Sequence, residues 1–291
     1  MLYFIVNALS GKGKGAETAE NIKTILEEKG VDFQMHFTSA PLHAITLAKE
    51  LSQKSDCEGV VAVGGDGTFS EVLNGIELNV PLGVVSSGSG NDFMRTFAPN
   101  KTVAEQLQPI IENKTKRIDY IQVNDMRCLN VSGTGFDVDI LLRERKLRKV
   151  ISGSLSYYAS LIITLFTLKF RRFRLKIDDS ISIDEPCLIV ALANGRYFGG
   201  GMPVSLDSEI DDGFMDLLLV KKLPFYRIPD VLLRFLQGKI KTVKKYVDIY
   251  RCRKVEGSVN PLVEFQLDGE LHSIPSFRVE LKDSAISVFA E

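Results

Sequence analysis

The first third of the chain alternates short apolar runs with segments of helical periodicity. Continuous apolar runs predict buried strands, and the strict alternation from Val31 to Phe37 predicts a strand with one exposed face. A capping box formed by Thr102 and Glu105 predicts the start of a further helix. We predict strands at 2–7, 31–37, 59–63 and 81–85 and helices at 16–29 and 42–54. Strands that alternate with helices in this way are typical of a parallel α/β sheet.

From about Lys116 onward, the spacing of apolar residues becomes mostly strand-like. The predicted strands span 117–123, 126–131, 173–177, 187–193, 214–220, 263–267 and 277–289, and helical spacing interrupts them at 138–148, 154–170 and 225–237. No repeat and no linker rich in Pro, Gly or Ser separates the halves, so we expect two closely packed domains with a cleft between them. We predict an α/β domain over 1–120 and a β-rich domain over 121–280, with about 281–291 a candidate to return to the first domain.

Composition and charge narrow the class of protein. The chain has 291 residues, of which 45% are apolar and 25% charged, and this is typical of a globular protein. Its 36 Lys and Arg nearly balance 37 Asp and Glu, so no overall positive field favours nucleic acid as a partner. The four Cys and three His are dispersed and form no zinc motif or disulfide framework. Because the first apolar run is too short for a signal peptide, we expect a cytoplasmic protein.

Three of the predicted parallel strands end in glycine-rich loops, at 8–15, 64–68 and 86–92. The carboxyl ends of the strands in an open α/β sheet face one crevice. Glycine there lets backbone N–H groups approach phosphate oxygens, and the following helix N-termini favour negative charge. A single such loop is equally well explained as a tight turn. Three together predict a polyphosphate site.

The first loop also fits the dinucleotide fingerprint of dehydrogenases, as G-x-G-x-x-A at 11–16, with Asp32 as a candidate ribose ligand. Three observations disfavour this alternative. Three residues separate the strand from Gly11, and Lys12 and Lys14 crowd the loop. The fingerprint also leaves the other two glycine-rich loops unexplained.

Two of the loops contain a carboxylate, which a bare triphosphate would repel at close range. Asp66 and Asp92 therefore predict an intervening cation. A Mg²⁺ ion that bridges phosphates and carboxylates is typical of phosphoryl transfer. Lys12 is a candidate to neutralise phosphate charge, and Arg95, one helical turn past Asn91, is a candidate to point back at the same site.

The ordered motifs resemble the diacylglycerol kinase catalytic family, specifically its bacterial branch of soluble lipid kinases related to sphingosine kinases. They are GGDGT at 64–68, GSGNDFMR at 88–95, NVSGTGFD at 130–137, ANG at 193–195, FGGGM at 198–202, DDGFMD at 211–216 and DGE at 268–270. The first motif is shared with NAD kinases and phosphofructokinases, whereas the complete ordered set is specific. The resemblance spans nearly the whole chain.

The resemblance implies a fold of the α/β plus β class. An N-terminal Rossmann-type nucleotide domain, like that of NAD kinase and phosphofructokinase, would precede a C-terminal β-sandwich domain, with the active site in the cleft between them. The implied activity is an ATP- and Mg²⁺-dependent lipid kinase. Its expected acceptor is diacylglycerol and its product phosphatidic acid, within phospholipid biosynthesis.

The resemblance also implies roles for individual residues. Contacts to ATP are expected from Asn7, Ala8, Leu9, Ser10, Gly11, Thr38, Gly64, Gly65, Asp66, Gly67, Thr68, Phe69, Ser70, Ser89 and Asn91. The catalytic magnesium network would comprise Asp66, Asp92 and Asp119, and the catalytic residues Lys12, Arg95, Asp268 and Glu270. Asp268 or Glu270 would be the general base, and their spacing does not decide between them. A second, structural Mg²⁺ would bind Asp212 and the carbonyls of Glu209 and Phe214.

The most apolar stretch, 155–168, is shorter than the roughly 20 residues needed to span a bilayer. It lies within a segment with one acid, Glu144, and nine Lys or Arg, at 143, 145, 146, 148, 149, 169, 171, 172 and 174. This pattern fits peripheral docking on the inner face of an anionic membrane, and it fits a core helix with solvated flanking charges equally well. Residues 225–254 form a second such segment. A homodimer is compatible with the sequence.

Two further functions stay open. A NAD-kinase-like enzyme is disfavoured by the apolar helix with its basic flanks and by the missing Asn-Glu pair that would bind ribose. A non-catalytic, nucleotide-binding regulator at the membrane is disfavoured because Asp66, Asp92, Asp268 and Glu270 occur together. A binding module has no need of a general base.

Overall fold

The amino-terminal half is a parallel sheet between helices. The computed structural model describes all residues except 148, 149, 152, 153, 261–263 and 275. This half contains β1 (Leu2–Val6), α1 (Lys14–Lys29), β2 (Phe33–Phe37), α2 (His43–Ser52), β3 (Gly59–Gly64), α3 (Asp66–Gly75), β4 (Leu82–Ser86), α4 (Asp92–Phe97) and α5 (Val103–Ile111). The predicted strands and the two predicted helices begin and end within two residues of these bounds. The capping box at Thr102 is confirmed at the start of α5.

The four strands pair in parallel in the order β2-β1-β3-β4. β1 and β3 are buried along their whole length, because helices cover both faces of the sheet. One apolar cluster joins the sheet to α2 and α3 through Ala48 and Leu73, and another joins it to α1 and α5 through Ile22 and Leu107. This arrangement directs the loops that follow β1, β3 and β4 to one edge.

The rest of the chain is mainly antiparallel. It contains β5 (Thr115–Val123), β6 (Met126–Cys128), β7 (Val131–Gly135), α6 (Phe136–Leu147), α7 (Ser154–Phe166), β8 (Arg171–Ile177), β9 (Ile181–Ala193), β10 (Tyr197–Phe198), β11 (Met202–Pro203), β12 (Met215–Lys221), α8 (Ile228–Leu236), β13 (Val247–Cys252), β14 (Lys254–Asn260), β15 (Glu264–Leu267), β16 (Glu270–Ser273) and β17 (Phe277–Phe289). In the described ranges, no helix is both long enough and apolar enough to cross a bilayer.

The long strand β17 connects the two halves. It pairs antiparallel with β14 and β5, and near its end Val288 pairs in parallel with Leu82 of β4. Phe289 is buried in the apolar cluster that includes α1 and α5. A single sheet therefore continues from the parallel half into the antiparallel half, and this holds the two sides of the cleft together.

The sequence prediction differs from the structure at several strands. The predicted strand 126–131 is divided into β6 and β7, because the N–H groups of residues 129–131 bind the carboxylate of Asp268 instead of a neighbouring strand. β13 and β14 were not predicted, and in β14 Gly257 interrupts the alternation of apolar residues. The predicted helix 154–170 ends at Phe166. Arg148, Lys149 and Val263, which the sequence analysis assigned to predicted elements or to the basic segment, lie outside the described residues.

Candidate active site

The three glycine-rich loops lie in contact at the carboxyl edge of the parallel sheet. A Cβ atom on Gly11 would lie only 2.0 Å from the carbonyl oxygen of Ser87, and a Cβ on Gly88 only 2.6 Å from the Cα of Gly65. A side chain at either position would force the loops apart, so glycine is required there. The sequence pattern thus correctly indicated that the three loops meet at one edge of the sheet.

Side-chain hydrogen bonds join the first and second loops. The Nδ2 group of Asn7 donates to Thr68 Oγ1 at 3.2 Å, and Asn7 Oδ1 accepts from the N–H of Leu9 at 3.2 Å. Thr38 lies at the same edge, where its N–H donates to the carbonyl of Val6 at 2.9 Å. The residues expected to contact ATP at 7–11, 38, 64–68, 89 and 91 therefore lie on the loops and strand ends of this one edge.

Asp32 and Phe69 do not fit their predicted roles. The carbonyl of Asp32 accepts from the N–H of Leu2 at the amino end of β2, opposite the loops, so the dinucleotide fingerprint was a wrong interpretation. Phe69 is 1% exposed and packs in the core between α3 and the sheet, which leaves only its backbone for a nucleotide. Ser70 is also buried, and its carbonyl accepts from Asn74.

Asp66 and Asp92 both lie next to Gly90. A Cβ on Gly90 would be 3.0 Å from Asp66 Oδ2 and 3.8 Å from Asp92 Oδ2. Asp66 Oδ1 accepts from the N–H of Phe93 at 3.2 Å, and Asp92 Oδ2 accepts from the N–H of Gly200 at 2.8 Å. Burial raises the pKa of Asp92 to about 6, and the neighbouring Asp66 charge adds to the rise. These two carboxylates repel each other unless a cation lies between them.

The pair is suited to Mg²⁺ bound together with a nucleotide. Asp92 Oδ1 is buried and accepts no hydrogen bond from the described residues. Mg²⁺ in phosphoryl-transfer sites takes one or two carboxylates and fills its other positions with phosphate oxygens and water. Among the described residues, no three His, Cys, Asp or Glu side chains form a metal-binding group. Two carboxylates alone do not complete a metal site, so magnesium at Asp66 and Asp92 stays a prediction.

The carboxylate of Asp119 is bound by backbone groups of two segments, at Gly213 and at Ser284. Its carboxylate accepts from the N–H groups of Gly213 at 2.8 Å and Ser284 at 2.6 Å. Burial raises its pKa, and the charges of Asp283 and Asp212 add to the rise. These contacts place Asp119 beside Gly213 and Ser284, and its expected role in a magnesium network with Asp66 and Asp92 stays a prediction.

Asp212, the predicted ligand of a second magnesium, already has a cationic partner. Its Oδ1 accepts from the N–H of Phe214 at 2.9 Å, and its Oδ2 pairs with Arg251 at 2.6 Å. Arg251 and Arg253 also lie over the Phe214 ring, each 4.7 Å from its centroid. A metal ion at Asp212 would have to displace Arg251, and the second magnesium stays a prediction.

Asp268 is held by four donors. Its carboxylate accepts from the N–H groups of residues 129, 130 and 131 at 3.0, 3.1 and 3.1 Å and from the thiol of Cys128 at 3.1 Å. Burial raises its pKa to about 6. Asp268 therefore fastens the turn between β15 and β16 to the segment between β6 and β7. So many donors leave its oxygens poorly placed to accept a further proton.

Glu270 lies two residues further on and is much more accessible. Its side chain is 57% exposed, and Oε2 forms one ion pair, 3.4 Å from Arg145. Oε1 lies 3.8 Å from the position of a Cβ on Gly67, next to Asp66. The turn held by Asp268 therefore brings Glu270 across the cleft to the second glycine-rich loop. These positions make Glu270 the better candidate for the general base, and its role as the base stays a prediction.

Arg95 points back at the third loop, and Lys12 lies exposed in the first. The Nε group of Arg95 donates to the carbonyl of Gly90 at 3.0 Å, and its guanidinium lies beside Gly201. Lys12 has φ of 63°, unusual for a residue with a side chain. Each therefore adds a positive charge to one of the glycine-rich loops.

Two cavities adjoin in the cleft. The first is polar, and Asp66, Asp92, Asp268 and Asp137 contribute to its walls. The second, with a volume of about 80 Å³, lies between β9 and β12 on one side and α6, α7 and α8 on the other. Apolar side chains line this second cavity, and Asp137 is the one polar residue among those described there. Asp137 and Phe198 line both cavities, so a ligand could extend from one into the other.

Asp137 is a site residue to which the sequence analysis gave no role. It lies where β7 passes into α6, it is 5% exposed, and neither carboxylate oxygen has a hydrogen bond of normal geometry to a described residue. Burial raises its pKa to about 7. Its position inside a family motif was visible in the sequence, but its burial against an apolar cavity was not.

Asp137 should make stability depend on pH. Its pKa is near 3.9 in the unfolded chain and about 7 in the folded one, so protonation favours folding. That contribution is complete below about pH 4 and is lost as the pH rises through about 7. We expect Asp137→Asn to gain stability over wild type between pH 5 and 8, by up to about 1.4 kcal/mol per pH unit. Urea unfolding of both proteins at pH 5 and at pH 8 measures this gain in the free energy of unfolding. Exposed Asp125→Asn is the control, and a gain that does not change with pH would contradict the prediction.

Comparisons with known proteins agree with this arrangement. Residues 1–123 match the model of the diacylglycerol kinase catalytic domain, and residues 130–290 match the YegS C-terminal NAD kinase beta sandwich-like domain. The chain is 27% identical over 271 residues to the diacylglycerol kinase of Bacillus subtilis (strain 168), covering 91% of this chain and 88% of that protein.

Solved structures show the same fold. A diacylglycerol kinase from Bacillus anthracis str. Sterne superposes with a TM-score of 0.80 at 23% identity, covering 100% of this chain and 96% of that one. An NAD kinase from Archaeoglobus fulgidus in complex with ATP gives a TM-score of 0.56 at 14% identity, covering 100% and 94%. The predicted two-domain fold, with an NAD-kinase-like first half and a β-sandwich, is confirmed. The chain belongs to the YegS-like branch of the diacylglycerol kinase catalytic family.

Proposed function

We propose that the protein transfers the γ-phosphoryl group of ATP, together with Mg²⁺, to the hydroxyl group of a lipid. The observation that carries this proposal is the junction of the two cavities. One cavity contains the carboxylates and lies beside the glycine-rich loops, and the other is lined by apolar side chains, which suit hydrocarbon. A kinase with a lipid acceptor needs both environments within reach of one reacting phosphorus atom.

The nucleotide would bind at the carboxyl edge of the parallel sheet. Glycines in the three loops would let backbone N–H groups approach the phosphate oxygens, and the amino ends of the helices that follow favour phosphate. Lys12 and Arg95 would add positive charge, and Asp66 and Asp92 would hold the magnesium. When bound, Mg²⁺ neutralises charge on the phosphate oxygens.

The acceptor hydroxyl would lie between Glu270 and the terminal phosphoryl group. As its oxygen bonds to phosphorus, the bond to the leaving ADP breaks and the hydroxyl proton passes to the Glu270 carboxylate. Asp268 acts only by holding the turn in place. Catalysis of this kind depends mainly on positioning and charge stabilisation.

Diacylglycerol is the proposed acceptor, with phosphatidic acid as the product. Its acyl chains would enter the apolar cavity and its polar end would lie near Asp137, where the two cavities meet. The fold shared with NAD kinases keeps NAD as the second candidate acceptor. The apolar cavity favours the lipid, because NAD offers no hydrocarbon to fill it.

Incubation with labelled ATP and a panel of acceptors tests this function. The panel comprises diacylglycerol, sphingosine, ceramide, undecaprenol and NAD, each with and without Mg²⁺. We expect label in phosphatidic acid, with transfer abolished when the metal is chelated. Label in NAD alone would replace the proposal with an NAD kinase. Nucleotide binding without transfer to any acceptor would indicate a regulator.

A further inference from the structure

Helices α7 and α8 expose apolar side chains on the side facing away from the cavity that they cover. On α7, Leu155, Ile162 and Phe166 are 65, 56 and 75% exposed. On α8 and the turn before it, Phe225, Tyr226 and Leu233 are 64, 76 and 54% exposed. We call these six residues the outer apolar face. A helix that only covers a core would carry polar residues there, so this face requires an explanation.

The inward sides of the same helices form the wall of the apolar cavity. Leu161 and Leu165 of α7 and Val231 and Phe235 of α8 line it. On another side of α7, Thr164 is buried and accepts from Arg143 of α6 at 3.1 Å. The inner surfaces of α7 thus face the cavity and α6, whereas the outer apolar face stays exposed and available to a partner.

The charges beside this face are positive. Residues 225–246 contain six Lys or Arg and one acid, Asp230. Asp230 pairs with Arg234 at 2.9 Å, and Asp207 from a neighbouring loop pairs with Lys241. In the described part of the chain, Lys169, Lys244 and Lys245 are exposed and have no acidic partner. The paired acids therefore do not offset the positive charge of these three lysines.

We propose that the outer apolar face docks on an anionic lipid bilayer, with Lys169, Lys244 and Lys245 against the headgroups. Apolar side chains in a basic surrounding are the combination that binds such interfaces. This inference rests on the proposed function, because the cavity behind α7 and α8 would then receive its lipid directly from the bilayer. A second copy of this chain would bring the same positive charges together, which disfavours that occupant.

Vesicle sedimentation without nucleotide or acceptor tests docking separately from catalysis. Full-length protein is mixed with vesicles of phosphatidylcholine alone or with added phosphatidylglycerol. We expect binding to the anionic vesicles only. Lys244→Gln with Lys245→Gln should weaken it roughly ten- to thirtyfold, since each basic residue near the surface contributes roughly fivefold. Phe166→Ser with Phe225→Ser should weaken it by at least about tenfold.

Matched controls lie on the other half of the protein. Phe37→Ser, at a side chain that is 50% exposed on β2, and Lys29→Gln on α1 should bind like wild type. Thermal unfolding confirms that each variant is folded. Equal sedimentation of wild type and both double variants would overturn the proposal, as would equal binding to neutral vesicles. A dimer in solution that Phe166→Ser with Phe225→Ser dissociates would assign the face to a second copy instead.

Turnover on acceptor dispersed in neutral detergent micelles separates this inference from the proposed function. Both double variants should retain wild-type turnover there, because none of the four residues touches the cleft. If wild type binds anionic vesicles but phosphorylates no lipid in micelles, the docking face stands and the lipid kinase activity fails. If wild type phosphorylates lipid in micelles but does not bind anionic vesicles, the docking face is rejected and the lipid kinase activity stands.

Discussion

Glu270→Gln should lower phosphoryl transfer by about 10²- to 10⁴-fold, the range typical of a lost general base. The amide has the shape of the carboxylate but does not take up the hydroxyl proton. Nucleotide affinity should stay near the wild-type value, since Glu270 lies on the acceptor side of the cleft. The free energy of unfolding should change little, because the side chain is 57% exposed and its ion pair with Arg145 is at the surface. Initial rates with labelled ATP, nucleotide titration and urea unfolding measure these three quantities.

The matched control is Glu256→Gln on β14. Glu256 is 38% exposed and pairs with Lys254 at 3.0 Å and Arg278 at 3.9 Å, so like Glu270 it is a solvent-accessible glutamate in an ion pair. The Glu256→Gln variant should have the phosphoryl-transfer rate of wild type. A Glu270→Gln enzyme with wild-type rates would exclude Glu270 as the base.

Asp268 provides the contrast to Glu270. Asp268→Ala removes the acceptor for three backbone N–H groups, and each buried unpaired donor costs about 1–3 kcal/mol. We therefore expect Asp268→Ala to lose at least about 3 kcal/mol of stability. If Asp268→Asn instead abolished turnover in a protein as stable as wild type, the roles of the two acids would be reversed.

The parallel half was predictable because its strands are buried on both faces. Continuous apolar runs such as β3 stand out in the sequence, and helices between them show one apolar stripe. β14 was missed because Gly257 stands where an apolar residue would continue the alternation between Val255 and Val259. Its neighbours β8 and β17 supply the hydrogen bonds that define it as a strand, and these partners lie far away in the sequence.

The candidate site was predictable only in part. Glycine-rich loops at strand ends, and the carboxylates Asp66 and Asp92 in them, follow from local spacing and the geometry of a parallel sheet. The choice between Asp268 and Glu270 depends on the turn that separates them, where Asp268 and Gly269 have φ of 48° and 89°. That turn directs the Asp268 carboxylate into the protein and leaves the Glu270 carboxylate in the cleft. The partners of the Asp119 carboxylate, Gly213 and Ser284, could not be predicted, because motif order does not specify which loop it meets.

Asp66→Asn should remove the magnesium dependence of nucleotide binding and lower turnover by about 10²-fold or more, because the metal contributes several kcal/mol of charge stabilisation. The amide oxygen still accepts from the N–H of Phe93, so the start of α4 should stay intact. Without Mg²⁺, ATP should bind the variant at least as tightly as wild type, since one repelling charge has been removed. Titration with a fluorescent ATP analogue, with and without Mg²⁺, measures both effects.

Asp32→Asn is the control for the Asp66 experiment, because Asp32 is an exposed aspartate at the opposite edge of the same sheet. It should retain the full magnesium effect on nucleotide binding. Removing the Asp66 charge should also lower the pKa of Asp92, since the Asp66 charge contributes to raising it. An Asp66→Asn protein with the wild-type response to Mg²⁺ would show that the metal binds elsewhere. The two carboxylates beside Gly90 would then need another cation, and Arg95, 3.8 Å from Asp92, is the residue to test next.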